Sequence, residues 1–170
     1  MHETASQYTK RLLGYQKGKR PVAVLASTPR KIRKLLRGAR TQRLRARPAG
    51  DRWSVGEILA HMADAEVTFA FRIRSALGSN GTRIQAYDQD VWATNFRYNQ
   101  QDPRASFESY RALREHNLRL LRLLPKGMWS YYGMHEERGK ETIARMTEMM
   151  AGHDLNHLMQ IERILRGKPA

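Results

Sequence analysis

Apolar residues recur along this chain at intervals of three and four, the spacing that gathers them on one face of an α-helix. No convincing run of alternating strand residues and no hairpin signal accompanies them, so the pattern predicts an all-α protein. A first helical region covers about Glu3 to Gly14 and resumes after Pro21. Within it Thr28-Pro29 reads as an N-cap followed by proline at the first helical position, and Gly38 as a stop. A basic loop, Ala39 to Arg52, separates this region from the second helix. That helix opens at Ser54-Val55-Gly56-Glu57, whose S-x-x-E spacing lets hydroxyl and carboxylate satisfy two orphan amides reciprocally. Its stripe runs through Ile58, Leu59, Met62, Ala65, Phe69 and Ile73 to a stop at Gly78.

The segment Ser79 to Gln101 is polar and glycine-bearing, with Val91, Trp92 and Phe96 predicting a short embedded helix; connections of this length often shape binding sites. Asp102-Pro103 starts a third long helix that ends at Pro125. A connection from Lys126 to Gly139 carries Trp129, Tyr131, Tyr132 and His135. The last helix, about Lys140 to Arg166, places Ile143, Met146, Met150, His153, His157, Ile161 and Ile164 on one stripe before Gly167. Four long helices joined by short-to-medium connections predict an antiparallel four-helix bundle, one domain over residues 1–170.

Composition narrows the chemistry. The chain has no cysteine, which excludes disulfides, cysteine-type metal sites and a thiol nucleophile of its own. Any metal must be held by His, Asp or Glu. Its N-terminus is charged throughout, and the longest aliphatic run is Val22 to Ala26, so a cytoplasmic protein without a membrane span is expected. Of the net charge of +15, the stretch Met1 to Arg52 carries +13 and the remainder only +2. Clustered cations at Arg30 to Arg37 and Arg40 to Arg47 would suit an anionic partner such as nucleic acid. Aromatic residues for base stacking are missing between Tyr15 and Trp53, however, and a solvated helix face is the favoured reading over nucleic-acid binding.

His153 and His157 stand four residues apart, about one turn along one helix face, within reach of a single ion. Taken alone, an HxxxH pair more often combines an exposed histidine with one hydrogen-bonded in a core. This pair interrupts an apolar stripe between Met150 and Ile161, where two buried imidazoles need partners that a metal would supply together. A third ligand must come from elsewhere. His2 is terminal and His135 sits in a predicted loop, while periodicity ranks His61 and His116 nearly equal.

The stretch Trp53-Ser54-Val55-Gly56-Glu57-Ile58-Leu59-Ala60-His61-Met62-Ala63-Asp64-Ala65-Glu66, taken with His153-Asp154-Leu155-Asn156-His157-Leu158-Met159-Gln160-Ile161, resembles the DinB-like family. Gly139 and Thr142 fit that family's lead-in to the last helix, and the similarity covers roughly Arg20 to Gly167. The family is similar to YfiT-like metalloenzymes: four-helix bundles, often homodimers, in which three histidines bind nickel, zinc or a related ion. The resemblance implies His61, His153 and His157 as the ligands. It further implies a metal-dependent enzyme acting on a small molecule, with transfer to a low-molecular-weight thiol ranked ahead of hydrolysis.

Around such a site, Glu57 is a candidate base or ligand-orienting acceptor, although its capping-box position explains it without chemistry. Asp64 and Gln160 could each orient an imidazole or bind a ligand. Trp53, Trp92, Trp129 and Tyr132 are candidates for pocket walls against a default of core packing. Gly152 inside a helix beside His153 predicts close approach by another helix. A non-catalytic protein using its basic N-terminal third is the competing class.

Overall fold

The computed structural model of the chain describes residues 3–48 and 52–167; His2 and part of the expected basic loop lie outside the described residues. Seven α-helices occur among them: α1 (Ala5–Gln16), α2 (Pro21–Leu36), α3 (Thr41–Arg45), α4 (Val55–Gly78), α5 (Gln89–Asn95), α6 (Pro103–Leu123) and α7 (Ile143–Leu165). The four longest, α2, α4, α6 and α7, form the bundle. In it α4 packs on α6 and α7, α2 packs on α7 and α6, and α1 lies along α7. No helix among the described residues is long and apolar enough to cross a membrane.

Local chemistry explains where the bundle helices start. Ser54 Oγ accepts from Glu57 N at 3.2 Å and Glu57 Oε2 accepts from Ser54 N at 2.8 Å, the reciprocal box expected for α4. At α6, Asp102 Oδ1 accepts from Arg104 N and Ala105 N, both at 2.9 Å, with Pro103 at the first position. Thr142 caps α7 by accepting from Arg145 N at 3.1 Å.

The same rule misreads Thr28-Pro29. Pro21 already occupies the first position of α2, which continues straight through Pro29. Thr28 is buried and its hydroxyl donates back to Val24 O at 2.9 Å instead of capping. A proline inside a helix leaves the carbonyl four residues earlier without its amide. Here that carbonyl is Leu25 O, and it accepts from Arg114 Nη1 of α6 at 3.0 Å. A long-range side chain thereby supplies the missing donor.

A second departure is a small sheet. Strands β1 (Thr82–Ile84), β2 (Tyr132–His135) and β3 (Gly139–Thr142) form one sheet in the order β1-β2-β3, with β1 parallel and β3 antiparallel to β2. At three or four residues each, the strands are too short for alternation to register, and the β1–β2 pair joins segments far apart in sequence. Gly133 permits the contact, since a Cβ there would stand 2.2 Å from Ile84 Cδ1. Lys140 to Thr142, expected as the first turn of the last helix, form β3.

The core has two clusters. Leu25, Phe69, Ile73, Leu118, Leu121 and Met146 represent the first; Ile32, Leu59, Met62, Phe107, Tyr110 and Ile161 represent the second. On α7 the first cluster includes Met146, Met150 and Ala151 and the second includes Ile161, so His153 and His157 fall at their junction.

Candidate metal centre

His61 comes from α4 and His153 and His157 from α7, and all three are buried. His61 Nε2 stands 2.9 Å from His153 Nε2, and His157 Nε2 stands 3.1 Å from the same atom. One nitrogen from each ring lies within 4.8 Å of the others. Burial holds all three imidazoles below their ordinary range: His61 and His153 well below it, each also depressed by His157, and His157 at about 4 despite its bond to Gln160. Three neutral rings with converging nitrogen lone pairs suit a divalent transition metal, which binds imidazole in its neutral form.

The donor chemistry therefore fits an ion. His157 Nδ1 lies 2.8 Å from Gln160 Oε1; the amide oxygen can only accept, so Nδ1 carries the proton and Nε2 is left to coordinate. Among the described residues the Nδ1 atoms of His61 and His153 have no such partner. Trp53 closes over His61 with ring centroids 5.0 Å apart.

The other residues singled out in the sequence occupy varied positions. Glu57 is buried, committed to its capping box and paired with Arg47, which together hold its carboxyl below the usual range against the upward push of burial. Asp64 accepts from Tyr98 Oη at 2.6 Å rather than from an imidazole. Trp92 packs between Tyr87 and Phe96, Trp129 against the first core cluster, and Tyr132 under Lys140 Nζ, 4.3 Å from the ring centroid. His116 is exposed on α6, and His135, expected in a loop, is buried in β2. Arg30, Lys31, Arg33, Lys34, Arg37 and Arg40 are exposed.

A buried ionic cluster, which helical periodicity alone does not predict, lies beside the histidines. Arg114, 1% exposed, uses all five of its N–H donors: two toward Glu66, two toward Asp154 and one to Leu25 O. Asn117 Nδ2 donates to Glu66 Oε2 at 3.0 Å, and Tyr110 Oη to Asp154 Oδ2 at 3.2 Å. Asp154 follows His153 directly, so the cluster clamps the turn of α7 that carries the histidines. Charged residues at apolar helical phases, at 66, 114 and 154, were the available signal.

Two cavities flank the histidines. One of about 530 Å³ lies between α1, α4 and α7 and is lined by His153, Leu12, Phe69 and Met150 among others. A second, of about 360 Å³, is lined by His157, Gln160 and Trp53. Tyr8 of α1 and Gln89 border both.

Comparison with known proteins agrees with this picture. Two proteins of Oceanobacillus iheyensis, each described as a "putative metal-dependent hydrolase", are similar to this chain. One is 28% identical over 68% of this chain and 67% of its own length, the other 25% identical over 65% and 63%. The chain also superposes on YfiT from Bacillus subtilis, described as a "probable metal-dependent hydrolase with an unusual four-helix bundle topology". The TM-score is 0.80 at 20% identity, covering 98% of this chain and 91% of that one, which establishes the shared fold. The model of the DinB superfamily matches residues 25–161, most of the bundle and all three converging histidines, and the chain belongs to that superfamily.

Proposed function

We propose that the chain is a metal-dependent hydrolase whose His61, His153 and His157 would hold one divalent ion, nickel or zinc, beside the larger cavity. The convergence of three neutral, buried imidazoles at a cavity wall supports this reading above all else. An ion held by three imidazoles supplies Lewis-acid activation of a water or a substrate oxygen. The protein's own residues prepare that chemistry. Gln160 holds the proton of His157 on Nδ1, Trp53 covers His61, and Leu12, Phe69 and Met150 give the cavity an apolar wall beside His153.

Hydrolysis takes precedence over the thiol transfer that the family resemblance ranked first, because the similar proteins are described as hydrolases. One observation favours transfer as a second reading: the separate cavity on the His157 side could seat a low-molecular-weight thiol while an acceptor occupies the larger one.

Elemental analysis of untagged protein tests the metal. About one divalent ion per chain is expected, with loss in His61→Ala, His153→Ala and His157→Ala. Metal retained in all three variants would overturn the proposal. A panel of esters and amides assayed with and without added thiol then separates the chemistries: turnover without thiol supports hydrolysis, and strictly thiol-dependent turnover supports transfer.

A further inference from the structure

The larger cavity is built on three helix faces. From α4 come Ala65, Thr68, Phe69 and Arg72, which follow His61 by four, seven, eight and eleven residues and so continue its face; from α7 come Met146, Met149, Met150 and His153. Eleven residues rise about 16 Å along a helix axis, so Arg72 marks the end of the cavity remote from the histidines. Near it lie Tyr8, Tyr87 and Arg138, whose charges and hydroxyls are close enough to influence one another.

Most of the carboxylates lining this cavity are already engaged. Glu3 pairs with Arg11 at 2.7 Å, Glu141 with Arg138 at 2.7 Å, and Asp88 caps α5 by accepting from Asp90 N and Val91 N. Glu137 is exposed. Arg72, half-buried, has no carboxylate within 4.0 Å among the described residues. One N–H donates to Gln85 O at 2.8 Å, and the guanidinium sits 5.6 Å from the Tyr87 ring centroid. A guanidinium has five donors, so most of those on Arg72 remain for a ligand. Burial and the neighbouring Arg138 both press against its positive charge, an environment relieved by an arriving anion. Tyr8, pushed up to about 12 by burial, and Tyr87, raised for the same reason, keep their hydroxyl protons and can donate to that anion.

We infer that the cavity takes a small substrate carrying an oxyanion group, a carboxylate or a phosphate, which Arg72 receives at one end while the reacting bond lies at the His153 end. The inference rests on the proposed hydrolase site for its reactive end only. Arg72 selects and orients the substrate; it is a binding residue remote from the bond that breaks.

Calorimetric titration of succinate and of inorganic phosphate into metal-free protein isolates this end from the metal. Saturable binding of at least one oxyanion is expected, and the tighter of the two identifies the class. Arg72→Gln should weaken it by about tenfold or more. Arg72→Lys, which keeps the charge and loses the fork, should retain part of the affinity, and His116→Ala, exposed on α6 away from the cavity, should leave it unchanged. Equal affinity in Arg72→Gln and the parent protein, or no saturation by either anion at millimolar concentration, overturns the inference. Thermal melts of both Arg72 variants confirm that folded protein is compared. Since no metal is present in these titrations, failure of the hydrolase reading would appear in the metal content of the histidine variants and not here.

Discussion

Gln160 decides which nitrogen His157 presents: an amide oxygen 2.8 Å from Nδ1 keeps the proton there and leaves Nε2 pointing at His153. Its spacing of three from His157 made it a candidate in the sequence, since residues three apart share a helix face. Asp64, equally well spaced from His61, is taken by Tyr98, a partner 34 residues away that no local rule supplies. His135 carries a prediction of its own. Its Nδ1 accepts from Glu137 N at 3.2 Å, and its pKa is lowered to about 4 by burial and then by Arg138 and Arg72. The unfolded chain takes up this proton near the ordinary value of about 6.5, whereas the folded protein does so only near 4. Stability linked to His135 is therefore fully present above about pH 6.5, falls as pH drops toward 4 and levels off below. Urea midpoints of metal-free protein measured between pH 7 and 4 should fall less steeply in His135→Gln than in the parent. Parallel slopes would contradict the assignment.

At the scale of elements, α1 is seated on α7 at Gly152. A Cβ at that position would lie 2.1 Å from Leu12 O, a backbone atom that can yield only if α1 moves. The glycine beside His153 signalled such an approach in the sequence, though not which helix would make it. Arg11 Nη1 adds a bond to Asn156 Oδ1 at 2.9 Å, and Tyr8 and Leu12 wall the larger cavity from the same helix. Gly152→Ala should lift α1 and lower stability by roughly 1–3 kcal/mol, and limited proteolysis should show earlier cleavage within α1. An unchanged denaturation midpoint with unchanged proteolysis would mean that α1 does not pack there. Asp102-Pro103 starts α6, whereas Thr28-Pro29 lies inside α2, because the donor that makes Pro29 tolerable arrives from another helix.

Across the whole molecule, Arg114 ties the four bundle helices together: Leu25 O of α2, Glu66 of α4, Asp154 of α7 and its own α6 meet at one guanidinium. Glu66 is pushed up by burial against the opposing pull of Arg114, and taking that pull away leaves two carboxylates in a dry core. Arg114→Met is expected to cost about 3–5 kcal/mol. Replacing Glu66 and Asp154 by Leu in the same background should restore much of this, because the penalty lies in the unpaired charges. Chemical denaturation reads both, and a single variant as stable as the parent would refute the role given to Arg114.

Features that depend on neighbours along the chain are legible in the residue order alone. The helical periods, the capping box at Ser54, the proline start of α6 and the HxxxH pair within an apolar stripe all follow from spacings of one to four residues. Motif resemblance points to His61, which periodicity alone leaves level with His116. Tertiary structure decided what depends on contact through space. It set His61 2.9 Å from a histidine 92 residues away while His116 faces outward, and it paired β1 with β2. It also assembled the Arg114 cluster and carried α2 through Pro29. A local pattern states which face of a helix is apolar; which helix covers that face, and which distant polar group meets a stranded carbonyl or charge, is settled only when the bundle closes.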